Sequence, residues 1–257
     1  MPVATQWVLD AAGPTQRNSI TSVFLLVCPV TQKKGTAFLL SSGMVVSNEH
    51  VVHGCDTTNL FGSTPKADRI TFRKIVVDAD RDLALLRPAV ALKGGLELGS
   101  DVDPKLGSAV STLGFPLIYN GPAPLLSVGY VAGFNAVKVG NRTVKHIVVN
   151  GAFNPGNSGG PVFFSQDNKV VGVVVWKRNL FSNTVLTVIN DLYHPNLRSS
   201  TNLVRTMSDG STQGISQQEA IATVLEEFYG MVQVMIGEAI SVSELRAFIA
   251  ERKADVN

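Results

Sequence analysis

The chain has 257 residues, with 22 Lys+Arg against 20 Asp+Glu and a formal net charge of +2. That length provides one or two domains with a sizeable core, and the near-balanced charge excludes the electrostatic footprint of a general nucleic-acid binder. Charged residues at 16% and apolar residues at 45% exclude a disordered chain, and two cysteines exclude a disulfide-dense scaffold.

Residues 1–18 hold one basic side chain, Arg17, and no apolar stretch of signal-peptide length, so they read as a lead-in segment or short helix. The run 23–30 (VFLLVCPV) is far too short to span a membrane. It also lacks the small residue before Cys28 and the cationic region of a lipoprotein leader. These features predict a cytoplasmic chain without a membrane partner.

From 19 to about 190, short β-branched runs alternate with turn residues: 23–27, 36–40, 44–47, 70–77, 83–86, 109–113, 126–131, 147–149, 162–164, 170–176 and 185–189. Such a series predicts an all-β sandwich or barrel. Polar residues 196–214 read as a linker. The tail 215–257 then changes period. Ser216 with Glu219 forms a capping box, and Ile221, Leu225, Phe228, Val232, Met235 and Ala239 recur at helical steps, weakened by Gly230. Ser241 with Glu244 forms a second box before Leu245, Phe248 and Ile249, which predicts a helical hairpin.

The octapeptide Asn154-Pro155-Gly156-Asn157-Ser158-Gly159-Gly160-Pro161 carries the chemistry. A tight turn there would aim the amides of Gly156 and Ser158 into one small space, with Asn157 between, as an oxyanion hole requires. A serine hydroxyl needs a base. Of His50, His53, His146 and His194, His50 directly follows the apolar run ending at Ser47, a rigid strand end, with His53 its competitor. The base in turn needs a buried carboxylate. Asp82 opens Asp82-Leu83-Ala84-Leu85-Leu86 and is drawn toward the core, whereas Asp78 and Asp80, with Arg81 and other charges around them, read as solvated.

Taken together, these segments resemble the trypsin-like serine peptidases, and within them the HtrA/Deg branch. His50, Asp82 and Ser158 occur in that order, 32 and 76 residues apart. Gly35-Thr36-Ala37-Phe38, Leu113-Gly114-Phe115-Pro116 and Ser127-Val128-Gly129-Tyr130-Val131-Ala132-Gly133 are similar to strands of that branch. The resemblance implies two six-stranded antiparallel β-barrels, over 19–105 and 106–195, with the active site between them and a short C-terminal helical extension. It implies a serine endopeptidase acting on polypeptides without ATP, cofactor or metal.

Several positions depart from relatives in the superfamily. Asn157 stands where digestive members carry an Asp that pairs with a new N-terminus, so activity without N-terminal processing is expected. Ala152 occupies the position where cleavage after Arg or Lys would need Asp. Val175, Trp176 and Lys177 are expected along the substrate wall, favouring apolar side chains or, through Lys177, an acidic one. No PDZ-like segment follows residue 195, and the tail either packs on the barrels, mediates oligomerisation or recruits a regulatory partner. Cys28 and Cys55 are expected as two reduced thiols, with pairing across the first barrel the alternative. The other reading of the whole chain is a catalytically silent or latent protease-fold binding module. An α/β-hydrolase esterase is excluded, because its nucleophile elbow lies between a strand and a helix and its Ser precedes its His.

Overall fold

The computed structural model describes residues 1–100, 102–175, 202–206, 212–231 and 236–256. Two helices, α1 (Val3–Ala11) and α2 (Pro14–Ser22), open the chain. Pro14 sits in the first turn of α2, where its missing N–H would have no helical partner anyway. Buried Thr5 donates to the Pro65 carbonyl at 2.7 Å and ties α1 to the sheet that follows.

Strands β1 (Val23–Cys28), β2 (Lys33–Leu39), β3 (Val45–Ser47), β4 (Phe61–Ser63), β5 (Arg69–Asp78) and β6 (Leu83–Pro88) close a barrel in the order β1-β2-β3-β6-β5-β4. One helical turn, α3 (Glu49–Val52), follows β3. A second barrel begins with β7 (Ala109–Gly114), β8 (Leu125–Val139), β9 (Arg142–Asn150), β10 (Pro161–Phe164) and β11 (Val170–Val175). After β11 come a hairpin, β12 (Asn202–Thr206) with β13 (Thr212–Ser216), and α4 (Gln217–Met231). The chain then returns as β14 (Gly237–Ser241), which completes the order β10-β11-β14-β9-β8-β7, and ends in α5 (Val242–Val256). Every neighbouring pair in both barrels is antiparallel. The expected two-barrel architecture is therefore present.

Strand side chains alternate between faces, so each barrel has an inner and an outer apolar set. Phe24, Leu26, Leu39, Phe72 and Leu86 fill the first barrel. Val110, Val131, Ile147, Val149 and Val174 fill the second. Alternate residues of the same strands, such as Val23, Phe38 and Leu85 with Phe163, Val173 and Ile240, form a third cluster with Leu245 and Phe248 of α5. Fully burying each such Leu or Phe contributes about 1.5–3 kcal/mol. Among the described residues no helix is long and apolar enough to cross a membrane.

The tail differs from the expected helical hairpin. Residues 202–206 and 212–214, read as linker, pair as a β-hairpin that includes the first two residues of the expected tail, 215–216. Helix α4 does begin at its expected capping box: Ser216 N donates to Glu219 Oε2 at 2.7 Å, and Glu219 N donates to Ser216 Oγ at 3.2 Å. Residues 237–241, read as the end of one helix and the cap of the next, form β14 between β11 and β9. Without that strand both neighbours would present open edges, and closing the barrel outweighs local helix preference. The second capping box is absent as well. Ser241 Oγ donates to Asp103 Oδ1 at 2.6 Å, and Glu244 accepts instead from Arg81 Nε at 3.2 Å and Lys145 N at 3.1 Å. Of the roles considered for the tail, α5 takes that of packing on the barrels. The expected strand at 185–189 lies outside the described residues.

The cysteines are also corrected. Cys28 and Cys55 form a disulfide with Cα atoms 5.9 Å apart, joining the end of β1 to the chain just after α3. The alternative pairing, not the expected reduced state, is the one found, because barrel closure brings the two positions together. The bond closes a loop of 27 residues, and removing it by Cys28→Ala with Cys55→Ala is expected to cost about 3.5 kcal/mol, read as a lower denaturant midpoint. An unchanged midpoint would show that the bond adds nothing to stability.

Candidate active site

The histidine is held by its neighbours in sequence. All of β3 is buried, and Val51 and Val52 of α3 are each 2% exposed, which anchors the turn to the first-barrel core. His50 is thereby left at the strand end with its ring partly open to solvent. Asp82 engages it twice. Its Oδ1 accepts the His50 backbone N–H at 2.9 Å, and its Oδ2 lies 2.7 Å from His50 Nδ1. A carboxylate can only accept, so the hydrogen belongs on Nδ1, and Nε2 of the neutral ring is left as the acceptor. The Asp82 carbonyl also accepts from Asn48 Nδ2 at 2.8 Å, which fixes the segment before His50 to the same residue.

The competitors are occupied elsewhere. His53 Nδ1 lies 2.6 Å from Glu49 Oε1 on the surface, and buried His146 pairs with Glu238 at 2.7 Å on the second barrel. His194 lies outside the described residues. Asp80 is exposed, but Asp78 is not solvated as expected: it pairs at 2.6 Å with Arg81, itself only 4% exposed.

Ser158 lies in a loop built from main-chain bonds between β9 and β10. Gly159 N donates to Val174 O at 2.9 Å, Val174 N to Gly160 O at 2.8 Å, and Gly160 N to Asn157 O at 2.8 Å. Gly156 and Gly159 have φ of +97° and +84°, the left-handed region that side chains resist. A Cβ on Gly159 would collide with the Thr36 carbonyl and Ser47 Oγ. Thr36 of β2 joins the two barrels at this point. Its N–H donates to the Ser158 carbonyl at 2.8 Å, its Oγ1 donates to the Gly156 carbonyl at 2.7 Å, and the same Oγ1 accepts from Phe115 N at 3.0 Å. A Cβ built on Gly35 would fall 2.7 Å from Val51 Cγ2 and 3.1 Å from the Ser158 carbonyl. The Ser158 loop therefore lies alongside the turn that carries His50.

Within the loop, Leu117 N donates to the Pro155 carbonyl at 2.8 Å, so the trans peptide turns the Gly156 N–H the opposite way. Asn157 N is committed to Asn154 O at 3.0 Å, and its buried side chain places Nδ2 3.5 Å from the Ala152 carbonyl. Asn157 thus spaces Gly156 from Ser158, with its own N–H engaged in the turn. Ala152 is half-buried at the edge of this loop. Val175 is 2% exposed and belongs to the core shared with α5, so its side chain is not offered to a groove. Trp176 and Lys177 lie outside the described residues. Sequence reasoning missed Thr36 as the link between barrels. Its signal was a hydroxyl at the head of the apolar run 36–40, which must find partners when buried.

Two antiparallel barrels, with a His–Asp pair on one and a glycine-framed serine on the other, define a chymotrypsin-like architecture. A family model described as "Trypsin-like peptidase domain" matches residues 35–173, more than half of the chain. The chain belongs to that family. Its relatives include y4bJ of Sinorhizobium fredii, 34% identical over 158 residues that make up 60% of this chain and 23% of that protein. Another, from Halomonas elongata, is named "Probable periplasmic serine endoprotease DegP-like", with 30% identity over 54% of this chain and 28% of that one. The chain thus spans under a third of the length of either. Among solved structures, the Rv3671c protease of M. tuberculosis in an inactive form has the same fold, with a TM-score of 0.61 and 16% identity over 93% of this chain and 92% of that one.

Proposed function

We propose that the chain is a serine endopeptidase that hydrolyses polypeptides through an acyl-enzyme, without ATP. The observation that carries this reading is the double engagement of Asp82 with His50, which selects the ring tautomer able to accept a proton at Nε2. Ser158 Oγ attacks the peptide carbonyl carbon while His50 Nε2 takes its proton. The N–H groups of Gly156 and Ser158 hold the resulting oxyanion, each such donor contributing about 3 kcal/mol to the transition state. Collapse breaks the C–N bond, and His50 returns the proton to the leaving amine. Water, activated by the same His50, then attacks the acyl carbon and releases Ser158. Ala152 gives the pocket no carboxylate to receive an Arg or Lys side chain, so cleavage after other residues is proposed.

The engaged His–Asp pair weighs against a catalytically silent scaffold. A fluorophosphonate probe is expected to label the full chain, with the adduct mapped to Ser158 by peptide mass spectrometry. A folded chain that stays unlabelled, or is labelled elsewhere, would refute the assignment.

A further inference from the structure

Asp82 ends the turn 79–82 between β5 and β6 with φ of +54°. A left-handed backbone is costly for a non-glycine residue and persists only where its surroundings impose it. Asp82 tolerates the conformation better than most, yet its carboxylate must also be aimed.

The preceding residue supplies a restraint. Arg81 is 4% exposed, and all three of its guanidinium nitrogens meet carboxylates. Nη1 donates to Asp78 Oδ2 at 2.6 Å and to Glu251 Oε2 at 2.9 Å. Nη2 donates to Glu251 Oε1 at 2.7 Å, and Nε to Glu244 Oε2 at 3.2 Å. Asp78 also accepts the Arg81 backbone N–H at 3.0 Å and closes the turn from within. Glu244 and Glu251 stand two turns apart on α5 and grip the same guanidinium from outside. A lysine could not satisfy this set, because only the planar fork presents donors in several directions at once.

Hydrogen bonds from Arg81 hold the Glu251 carboxyl below its ordinary range. A depressed carboxyl pKa means that the contact is intact above the usual carboxylate range and is lost only as pH falls through the lowered value.

We propose that Arg81 is a positioning residue for the triad: through it, the carboxylates of α5 hold the 78–82 turn in the form that aims Asp82 at His50. The C-terminal helix then belongs to the active-site scaffold, and kcat depends on side chains that never touch substrate. This inference rests on the triad proposed above.

The test uses the full chain as Arg81→Ala, Arg81→Lys and the isosteric double variant Glu244→Gln with Glu251→Gln. Active sites are titrated with the fluorophosphonate, and kcat and KM are measured on a fluorogenic peptide. Val131→Ala, in the second-barrel core, serves as the control for lost stability alone. Misaiming the carboxylate is expected to lower kcat per titrated site by about 10–100-fold in Arg81→Ala and in the double variant, with KM unchanged. Arg81→Lys falls between these and wild type, and Val131→Ala keeps the wild-type kcat per site at a lower Tm. Should Arg81→Ala fail to fold, the double variant decides. Wild-type kcat per site in that variant would overturn the proposal and leave α5 a purely structural element. A wild-type chain that neither titrates nor cleaves would instead sink the triad on which the proposal stands.

Discussion

Ser158→Ala is expected to lower kcat by about 10⁶-fold and leave the fold and KM essentially unchanged. The substitution removes one oxygen atom from a loop whose shape is set by the main chain. Thr36 N still reaches the residue-158 carbonyl, and Gly159 N still reaches Val174 O. The proposed oxyanion donors are backbone N–H groups and also survive, so a residual acceleration of about 10³–10⁴ over water should persist. Cleavage of a fluorogenic peptide, followed beside the melting temperature, checks both parts. Turnover at the wild-type rate from a correctly folded Ser158→Ala chain would mean that another group is the nucleophile.

For Asp82→Asn the expected loss in kcat is about 10⁴-fold, again with little change in stability. Asn tolerates the left-handed backbone at this position as well as Asp does. What changes is the pairing with His50. Asp82 uses one oxygen for the backbone N–H and the other for Nδ1. An amide has one oxygen and one NH₂, so it can keep the backbone bond only by presenting a donor to the ring. That moves the imidazole hydrogen to Nε2, the nitrogen that must accept from Ser158. A steady-state kcat measurement together with thermal unfolding separates this chemical effect from simple unfolding. If Asp82→Asn cleaves at the wild-type rate, the carboxylate does not orient the base.

The parts of the site legible in the sequence were those whose chemistry is written locally. Three glycines around one serine, a histidine at the end of an apolar strand and an acid heading four apolar residues each limit their own surroundings. The parts that were missed depend on distant pairing. Residues 237–241 read in the sequence as the end of one helical stripe, at Ala239, and the cap of the next helix, at Ser241, and only the vacant position between β9 and β11 makes them a strand. Arg81 read as a sign of solvent because charges cluster around it in the chain. In the fold, two further carboxylates arrive from 163 and 170 residues away and bury it. Cys28 and Cys55 likewise meet only once the first barrel has closed. Thr36 shows the same limit from the other side, since its strand was recognisable but its partners on the second barrel were not.

The ladder between β11 and β14 pairs Val175 directly with Glu238. Antiparallel partners stand only about 5 Å apart, a gap that a tight turn of two residues can bridge. The ladder itself is therefore compatible with a short connection as well as with the long one this chain carries, at a loop-closure cost that rises only slowly with length.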